Sequence, residues 1–228
     1  MHGLFYGDPG QCKTRLLGTA ENGILLNCDG ASGPDSITGW SSLDIADCDN
    51  LYEVTEWIEF LRHGTHSYDW VFLDSISLLQ ENQMTKVLGD VVIAKPHRDP
   101  DIPDMHEYLK VQNQLKKLVR DMIGLRMHVG ITAHTMRIED EDEGAVQYWP
   151  AITGKQMPQK ICGYLGLVGH VSLQPDKEDD EKQNVILRVR GSDRFYAKDR
   201  YGVTETGGMK NPTMDQIAKR AQPSKRSE

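Results

Sequence analysis

The sequence has no long hydrophobic run, and none of its apolar stretches approaches the length that crosses a membrane. The N-terminus has neither a basic region nor a sustained apolar segment, so we expect no export signal. The four cysteines show no CxxC spacing, which argues against a zinc site or a disulfide framework and favours a reducing cytoplasm. Positively charged residues are also fewer than negatively charged ones. A net charge of −8 argues against a generally basic nucleic-acid-binding protein, but not against a local basic groove.

What is present is the composition of an ordinary globular protein. The 228 residues are 26% charged and 38% hydrophobic, which is enough chain for one sizeable core. Short strand-like apolar runs alternate with longer helical ones, a pattern typical of a mostly parallel sheet flanked by helices. The C-terminal third has shorter runs that favour antiparallel strands and hairpins. We predict an α/β domain over residues 1–210, then a short helix and flexible tail over 211–228.

A glycine-rich segment lies between the apolar run Leu4–Tyr6 and a helix-compatible stretch at Arg15–Glu21. Strand, loop and helix in this order favour a phosphate-binding loop, whose backbone N–H groups surround phosphates at a helix N-terminus. In such a loop a lysine reaches the terminal phosphates, and a threonine hydroxyl completes a Mg²⁺ shell. The alternative is an ordinary strand-to-helix turn. The predicted nucleotide-binding residues are Gly7, Asp8, Pro9, Gly10, Gln11, Cys12, Lys13 and Thr14.

Cys12 departs from the usual pattern of this loop. The motif has a glycine directly before the lysine, and here that position carries a thiol side chain. Its Cβ either crowds the phosphate or strains a backbone that glycine would accept freely. We expect the loop still to bind nucleotide, because Gly7, Gly10, Lys13 and Thr14 are intact, at some cost in affinity.

Two aspartates follow other predicted strands. The run Trp70–Asp74 is apolar until its final carboxylate, which in P-loop nucleotidases holds Mg²⁺ directly or through water. The alternative for this aspartate is a strand-end cap. Ser75 stands where many ring ATPases carry a glutamate base, so a carboxylate that activates water must come from elsewhere. Asp29, after the strand that follows the loop helix, is the candidate. It is shorter than glutamate, and a turn-forming role is an equal alternative.

Three further residues are candidates for the reaction. His134 ends the fourth predicted strand, where an imidazole could hydrogen-bond the terminal phosphate and report hydrolysis; a structural role is the alternative. Lys198 and Arg200 lie near a predicted hairpin tip. A cation there can reach the phosphates of an adjacent subunit and stabilise transition-state charge in trans. The alternative for these two is a surface ion-pair cluster with Asp199.

Four segments together resemble phage-encoded RecA-like ATPases, including the Sak-type single-strand annealing proteins. They are GDPGQCKT (7–14), WVFLDS (70–75), VGITAH (129–134) and FYAKDRYG (195–202). The resemblance spans about residues 2–203 and implies a RecA-like P-loop NTPase core with ATP at Gly7–Thr14 and Mg²⁺ at Thr14 and Asp74. It also implies self-assembly into a ring or filament with nucleotide at the subunit interfaces. Single-stranded DNA is the implied substrate, in recombination, annealing or replication in the host cytoplasm. A phage single-strand-binding protein or exonuclease is the candidate partner.

These observations predict an ATP-binding and ATP-hydrolysing enzyme, with two alternatives. The first is a binding module that uses ATP as a structural or switching ligand without turnover, which Cys12 and Ser75 favour. The second is a small-molecule phosphotransferase, for which a loop over Asp90–Asp104 would be the lid. That loop has only His97 and Arg98 to grip phosphate, whereas a lid usually carries several arginines.

Overall fold

The structure is a computed structural model that describes residues 1–139, 146–176, 178–179 and 181–221. A central sheet contains six parallel strands in the spatial order β3-β2-β4-β5-β1-β8. Their bounds are β1 His2–Tyr6, β2 Gly23–Asn27, β3 Asp44–Asp47, β4 Trp70–Asp74, β5 His128–Ala133 and β8 Leu167–Pro175. The predicted α/β fold with a mostly parallel central sheet flanked by helices is therefore confirmed.

Antiparallel pairing begins at β8, as the pattern of the C-terminal third predicts. There β9 (Gln183–Arg188) pairs with β8, and β11 (Gly208–Lys210) pairs with β9. The two-residue β10 (Lys198–Asp199) also pairs antiparallel with β8. A separate hairpin joins β6 (Thr135–Glu139) to β7 (Val146–Pro150), and it leaves the sheet directly after β5.

Helices cover both faces of the sheet. Their bounds are α1 Lys13–Leu17, α2 Leu51–His63, α3 Ile76–Ala94, α4 Met105–Ile123, α5 Met157–Tyr164 and α6 Met214–Arg220. Successive strand residues point to opposite faces, so in β1 the side chains of Leu4 and Tyr6 pack with α2–α5, whereas Phe5 packs with α1 and α6. No helix in the described ranges combines the length and apolarity needed to cross a membrane.

Local sequence signals explain where the longer helices begin. The Asn50 side chain accepts hydrogen bonds from the first turn of α2, and Asp104 forms a capping box with Glu107 at the start of α4. The expected loop over Asp90–Asp104 is partly wrong, because α3 continues to Ala94. Pro96 ends it, since the residue before a proline disfavours the helical conformation. The proposed lid of a phosphotransferase is thereby shortened.

The short helix expected after residue 210 is present as α6, and it is part of the core. Met214, Ile217 and Ala218 are buried in the same cluster as Leu16 and Leu17 of α1. The predicted flexible tail beyond this helix falls on residues 222–228, which lie outside the described ranges.

Candidate nucleotide site

The carboxyl ends of four parallel strands bring the candidate residues to one edge of the sheet. Gly7 follows β1, Asp29 comes shortly after β2, Asp74 ends β4 and His134 follows β5. The strand registers align these ends, with Tyr6 opposite Ala133 and Asn27 opposite Asp74. In open parallel sheets this edge is where ligands bind.

The loop between β1 and α1 is held tightly by its neighbours. The Gly7 N–H donates to the Ala133 carbonyl at 3.3 Å, and a Cβ on Gly7 would lie 2.4 Å from the Val171 carbonyl oxygen. Glycine is therefore required at this close approach to β8. The Gln11 side-chain oxygen accepts from the Leu173 N–H at 2.6 Å. The loop is thus attached to β5 at one side and to β8 at the other.

Cys12 occupies the left-handed region of the backbone, with φ 60° and ψ 29°, directly before α1. Of the two consequences considered for the missing glycine, backbone strain is the one observed. A non-glycine residue in this conformation costs about 1–2 kcal/mol. The Cys12 carbonyl nevertheless accepts the first helical hydrogen bond, from the Leu16 N–H at 2.9 Å, so the helix start is intact.

The Lys13 ammonium folds back across the loop. Its Nζ donates to the carbonyl oxygens of Gly7 at 2.9 Å and Asp8 at 3.0 Å, and the residue is only 8% exposed. Burial lowers the pKa of Lys13, and the carboxylates of Asp74 and Asp29 oppose that shift. The ammonium therefore lies within the loop and can exchange backbone carbonyls for phosphate oxygens.

Thr14, Asp74 and Thr132 form a buried group of oxygen atoms next to the loop. The Thr14 hydroxyl donates to one Asp74 carboxylate oxygen at 2.6 Å, and the Thr132 hydroxyl donates to the other. Asp74 is 2% exposed. Burial raises the pKa of Asp74, while the two hydroxyl donors act in the opposite direction.

These oxygens fit a magnesium ion. Mg²⁺ prefers oxygen ligands and is usually held by one or two carboxylates together with substrate phosphates, rather than by a full protein cage. The described residues contain no group of three or more His, Cys, Asp or Glu side chains placed to hold a metal. Thr14 and Asp74 therefore suit an ion that arrives with a phosphate ligand.

Asp29 lies beside this group. Its Oδ1 accepts hydrogen bonds from both the backbone N–H and the hydroxyl of Ser75, each at 2.9 Å. Because Ser75 directly follows Asp74, these bonds place Asp29 at the carboxyl end of β4. A purely local turn does not account for this long-range contact, but the role of Asp29 towards water stays a prediction.

His134 is fixed through its backbone at the end of β5. Its N–H donates to the Ser77 hydroxyl at 3.0 Å, and its carbonyl accepts from the Ala151 N–H at 2.8 Å. The imidazole Nδ1 is buried and has no hydrogen-bond partner among the described residues. A buried polar atom without a partner calls for an explanation, and a missing ligand is one.

Lys198 and Arg200 lie away from the loop of their own chain. Lys198 Nζ donates to the carbonyls of Cys162 at 2.8 Å and Gly163 at 3.3 Å, in the last turn of α5. The Arg200 N–H donates to the carbonyl of Gly166, just before β8, at the sheet edge opposite the loop, and its side chain is exposed. A role for either residue in trans stays a prediction.

The alternative of an ion-pair cluster around Asp199 is wrong. The Asp199 carboxylate accepts hydrogen bonds from the backbone N–H groups of Tyr201, Gly202 and Val203, at 2.8–2.9 Å. No salt bridge joins it to a described lysine or arginine. This aspartate shapes the chain turn after β10.

Sequence reasoning missed a group of side chains on the loop edge, which we call the aromatic–arginine cluster: Tyr148, His170, Arg188, Arg194 and Phe195. The Tyr148 and Phe195 rings stack at 5.3 Å, and the Arg194 guanidinium lies 5.3 and 5.5 Å from their centroids. The His170 ring is 4.1 Å from Phe195. Burial, aided by Arg188, lowers the pKa of His170 to about 4. The pairing of β8 with β9 brings His170 next to Arg188, and a bridge between Tyr148 and Phe195 adds the other side chains, so the sequence offered no local signal.

Comparison with known proteins identifies the family. Residues 1–201 match the family model described as AAA domain. The chain belongs to the AAA domain family. No curated protein matches this AAA domain. Among solved structures, it is similar to the flagellar accessory protein FlaH from Methanocaldococcus jannaschii, with 9% sequence identity and a TM-score of 0.41 over 82% of this chain and 76% of that one.

The matched range contains every residue predicted for the site, from Gly7 to Arg200. It ends before β11 and α6, so the C-terminal segment that packs against α1 lies outside the part of the chain that the family model covers.

Proposed function

We propose that this AAA domain binds ATP with Mg²⁺ at Gly7–Thr14 and hydrolyses it. The observation that carries the proposal is the convergence of Lys13, Thr14 and Asp74, which come from two distant segments and meet within hydrogen-bond distance of the loop or of one another. Membership of the AAA domain family supports nucleotide binding at this loop.

The chemistry assigns a separate task to each side chain. Lys13 transfers its hydrogen bonds from the loop carbonyls to β- and γ-phosphate oxygens, so the ammonium is already at the loop when the nucleotide binds. Thr14 and Asp74 hold Mg²⁺, and the bound ion supplies positive charge that stabilises the phosphate oxygens during transfer. Asp29 orients the attacking water. His134 Nδ1, which has no hydrogen-bond partner among the described residues, contacts the γ-phosphate.

Substitution of Lys13 tests the enzyme assignment. We expect Lys13→Ala to lower steady-state phosphate release by about a hundredfold or more, because a preorganised charge on the transferred group is lost. Lys86→Ala, which removes an exposed lysine from α3, is the matched control and should keep wild-type activity. Circular dichroism must show both variants folded. Unchanged turnover in folded Lys13→Ala would overturn the site assignment.

A second candidate is a nucleotide-binding module without turnover. Two observations favour it. The backbone at Cys12 is strained. The Asp29 side chain is shorter than that of glutamate, and one of its two carboxylate oxygens already accepts hydrogen bonds from Ser75. Measured binding of ATP together with phosphate release at the level of Lys13→Ala, with and without single-stranded DNA, would select this candidate.

We further propose that the protein assembles into a ring or filament and acts on single-stranded DNA, as the Sak-type resemblance implies. In this assembly the exposed Arg200 is the better candidate for a cation in trans, because Lys198 is held by α5. The aromatic–arginine cluster supports the DNA assignment, since stacked rings beside arginines suit bases and phosphates of a single strand. The proposed setting is the cytoplasm of a bacterial host, with a phage single-strand-binding protein or exonuclease as partner.

A further inference from the structure

A cavity of about 430 Å³ begins where the phosphate-binding loop ends. One wall consists of Cys12, Arg15 and Leu16, which belong to the loop and to α1. The opposite wall contains Leu173 from β8 and Val185 from β9. Cavities of this size are typical of sites for small molecules and cofactors. Because Cys12 borders both the loop and the cavity, a ligand with phosphates in the loop can extend directly into it.

Trp40 forms the rim of this cavity. Its side chain is 49% exposed, although an indole usually contributes most of its surface to a core. The ring is held in place, because its Nε1–H donates to the Ser36 carbonyl at 2.9 Å. It also packs closely on Gly18, where a Cβ would lie 3.1 Å from the indole. A fixed, half-exposed indole at the mouth of a cavity offers one face to a flat aromatic ligand.

The third wall comes from the C-terminal segment that the family match does not cover. Asn211, Pro212 and Thr213 line the cavity. Asn211 is bound twice to Val185, through its N–H at 2.7 Å and through its side-chain oxygen at 2.8 Å. The Met214 N–H donates to the Thr19 hydroxyl at 2.9 Å. These bonds join the segment to both other walls, so hydrogen-bonded chain encloses the cavity on three sides.

We propose that this cavity takes the base and ribose of the nucleoside triphosphate, with Trp40 stacked on the base and the segment 211–213 enclosing the sugar end. This assignment rests on the proposed function, which supplies the phosphates at Gly7–Thr14. The apolar side chains of Leu16, Leu173 and Val185 suit the flat faces of a base. The C-terminal segment, which the family match does not cover, thus completes a site that the loop begins.

The test compares ATP with inorganic tripolyphosphate, which has the phosphates but lacks base and sugar. Binding of each ligand with Mg²⁺ is measured by calorimetry for wild type, Trp40→Ala and Val185→Phe, the last of which fills the cavity. We expect both variants to bind ATP about tenfold more weakly or worse, since one base–aromatic stack is worth about that factor. Their affinity for tripolyphosphate should equal that of the wild type.

Controls separate the possible failures. Tyr52→Ala removes another exposed aromatic ring, on α2, and should bind both ligands as the wild type does. Lys13→Ala should lose both ligands. Wild-type ATP affinity in both cavity variants would overturn the base assignment while leaving the loop intact, as would equal loss of ATP and tripolyphosphate. A wild-type protein that binds neither ligand would overturn the proposed function and the base assignment with it.

Discussion

At the scale of single residues, Cys12 shows a conflict between local strain and site geometry. Its left-handed backbone is the conformation that a glycine would supply freely, and its neighbours Lys13 and Thr14 depend on that turn for their positions. The loop therefore keeps its shape although the residue is unfavourable. A protein that maintains such a conformation does so because the surrounding structure determines it.

The strain can be measured by comparing two substitutions. Cys12→Ala keeps a Cβ, whereas Cys12→Gly removes it, so we expect the glycine variant to be more stable by about 1 kcal/mol. Urea unfolding monitored by circular dichroism gives the two free energies. The expected order is notable because glycine usually costs stability through the entropy of the unfolded chain. A more stable alanine variant would show that the backbone at Cys12 is not strained in solution.

The same scale decides which site residues could be predicted from the sequence. The proximity of Lys13, Thr14 and Asp74 could be predicted because each has a local signal, namely a short motif or the polar end of an apolar run. The placement of Lys198 could not, because its ammonium is bound by carbonyls of α5, which is distant in sequence. The long-range hydrogen bond between Asp29 and Ser75 could not be predicted from the sequence either.

At the scale of elements, the expected helix α6 depends most on its tertiary contacts. It has only seven residues, and a helix of that length is marginal without tertiary contacts. Burial of its apolar face against α1 supplies those contacts. Asp215 adds polar ones, since it accepts hydrogen bonds from the indole N–H of Trp70 and from the Glu21 N–H, both at 3.0 Å.

Substitution of Asp215 tests how strongly α6 is attached. Asp215→Ala leaves the indole N–H of Trp70, a residue only 1% exposed, without its partner. We expect a loss of about 1–3 kcal/mol in the free energy of unfolding, measured in urea. Lys219→Ala, an exposed substitution in the same helix, should change stability by less than about 0.5 kcal/mol. Equal stability of the two variants would contradict the proposed attachment.

Element boundaries were predictable where a sequence signal is strong and local. The strands β1, β4 and β5 contain mostly apolar runs that end at a glycine or a polar residue, and the structure has a strand at each of the three predicted positions. The end of α3 was not, because the charged stretch after Asp90 suggested a loop although the first helix-breaking proline is Pro96. The short strands β10 and β11 owe their existence to the neighbours with which they pair.

At the scale of the whole molecule, the fold class follows from the alternation of strands and helices, but charge placement does not follow from composition. The chain has a net charge of −8, yet Arg188 and Arg194 both lie over the Phe195 ring, at the end of the sheet where the loop Gly7–Thr14 follows β1. A protein that is acidic overall can therefore offer a cationic surface at one edge.

This arrangement predicts how the intact protein behaves with single-stranded DNA. We expect ATP and Mg²⁺ together with an oligonucleotide to shift the protein to a larger species in light-scattering chromatography, because the proposed assembly places nucleotide between subunits. Oligonucleotide affinity should fall steeply with salt, and Arg194→Ala should reduce both the affinity and the salt dependence. Arg62→Ala, on α2, is the control and should alter neither. A protein that stays monomeric and does not bind DNA in any nucleotide state would favour the binding module. Without self-assembly or DNA binding, ATP hydrolysis would have no process to drive.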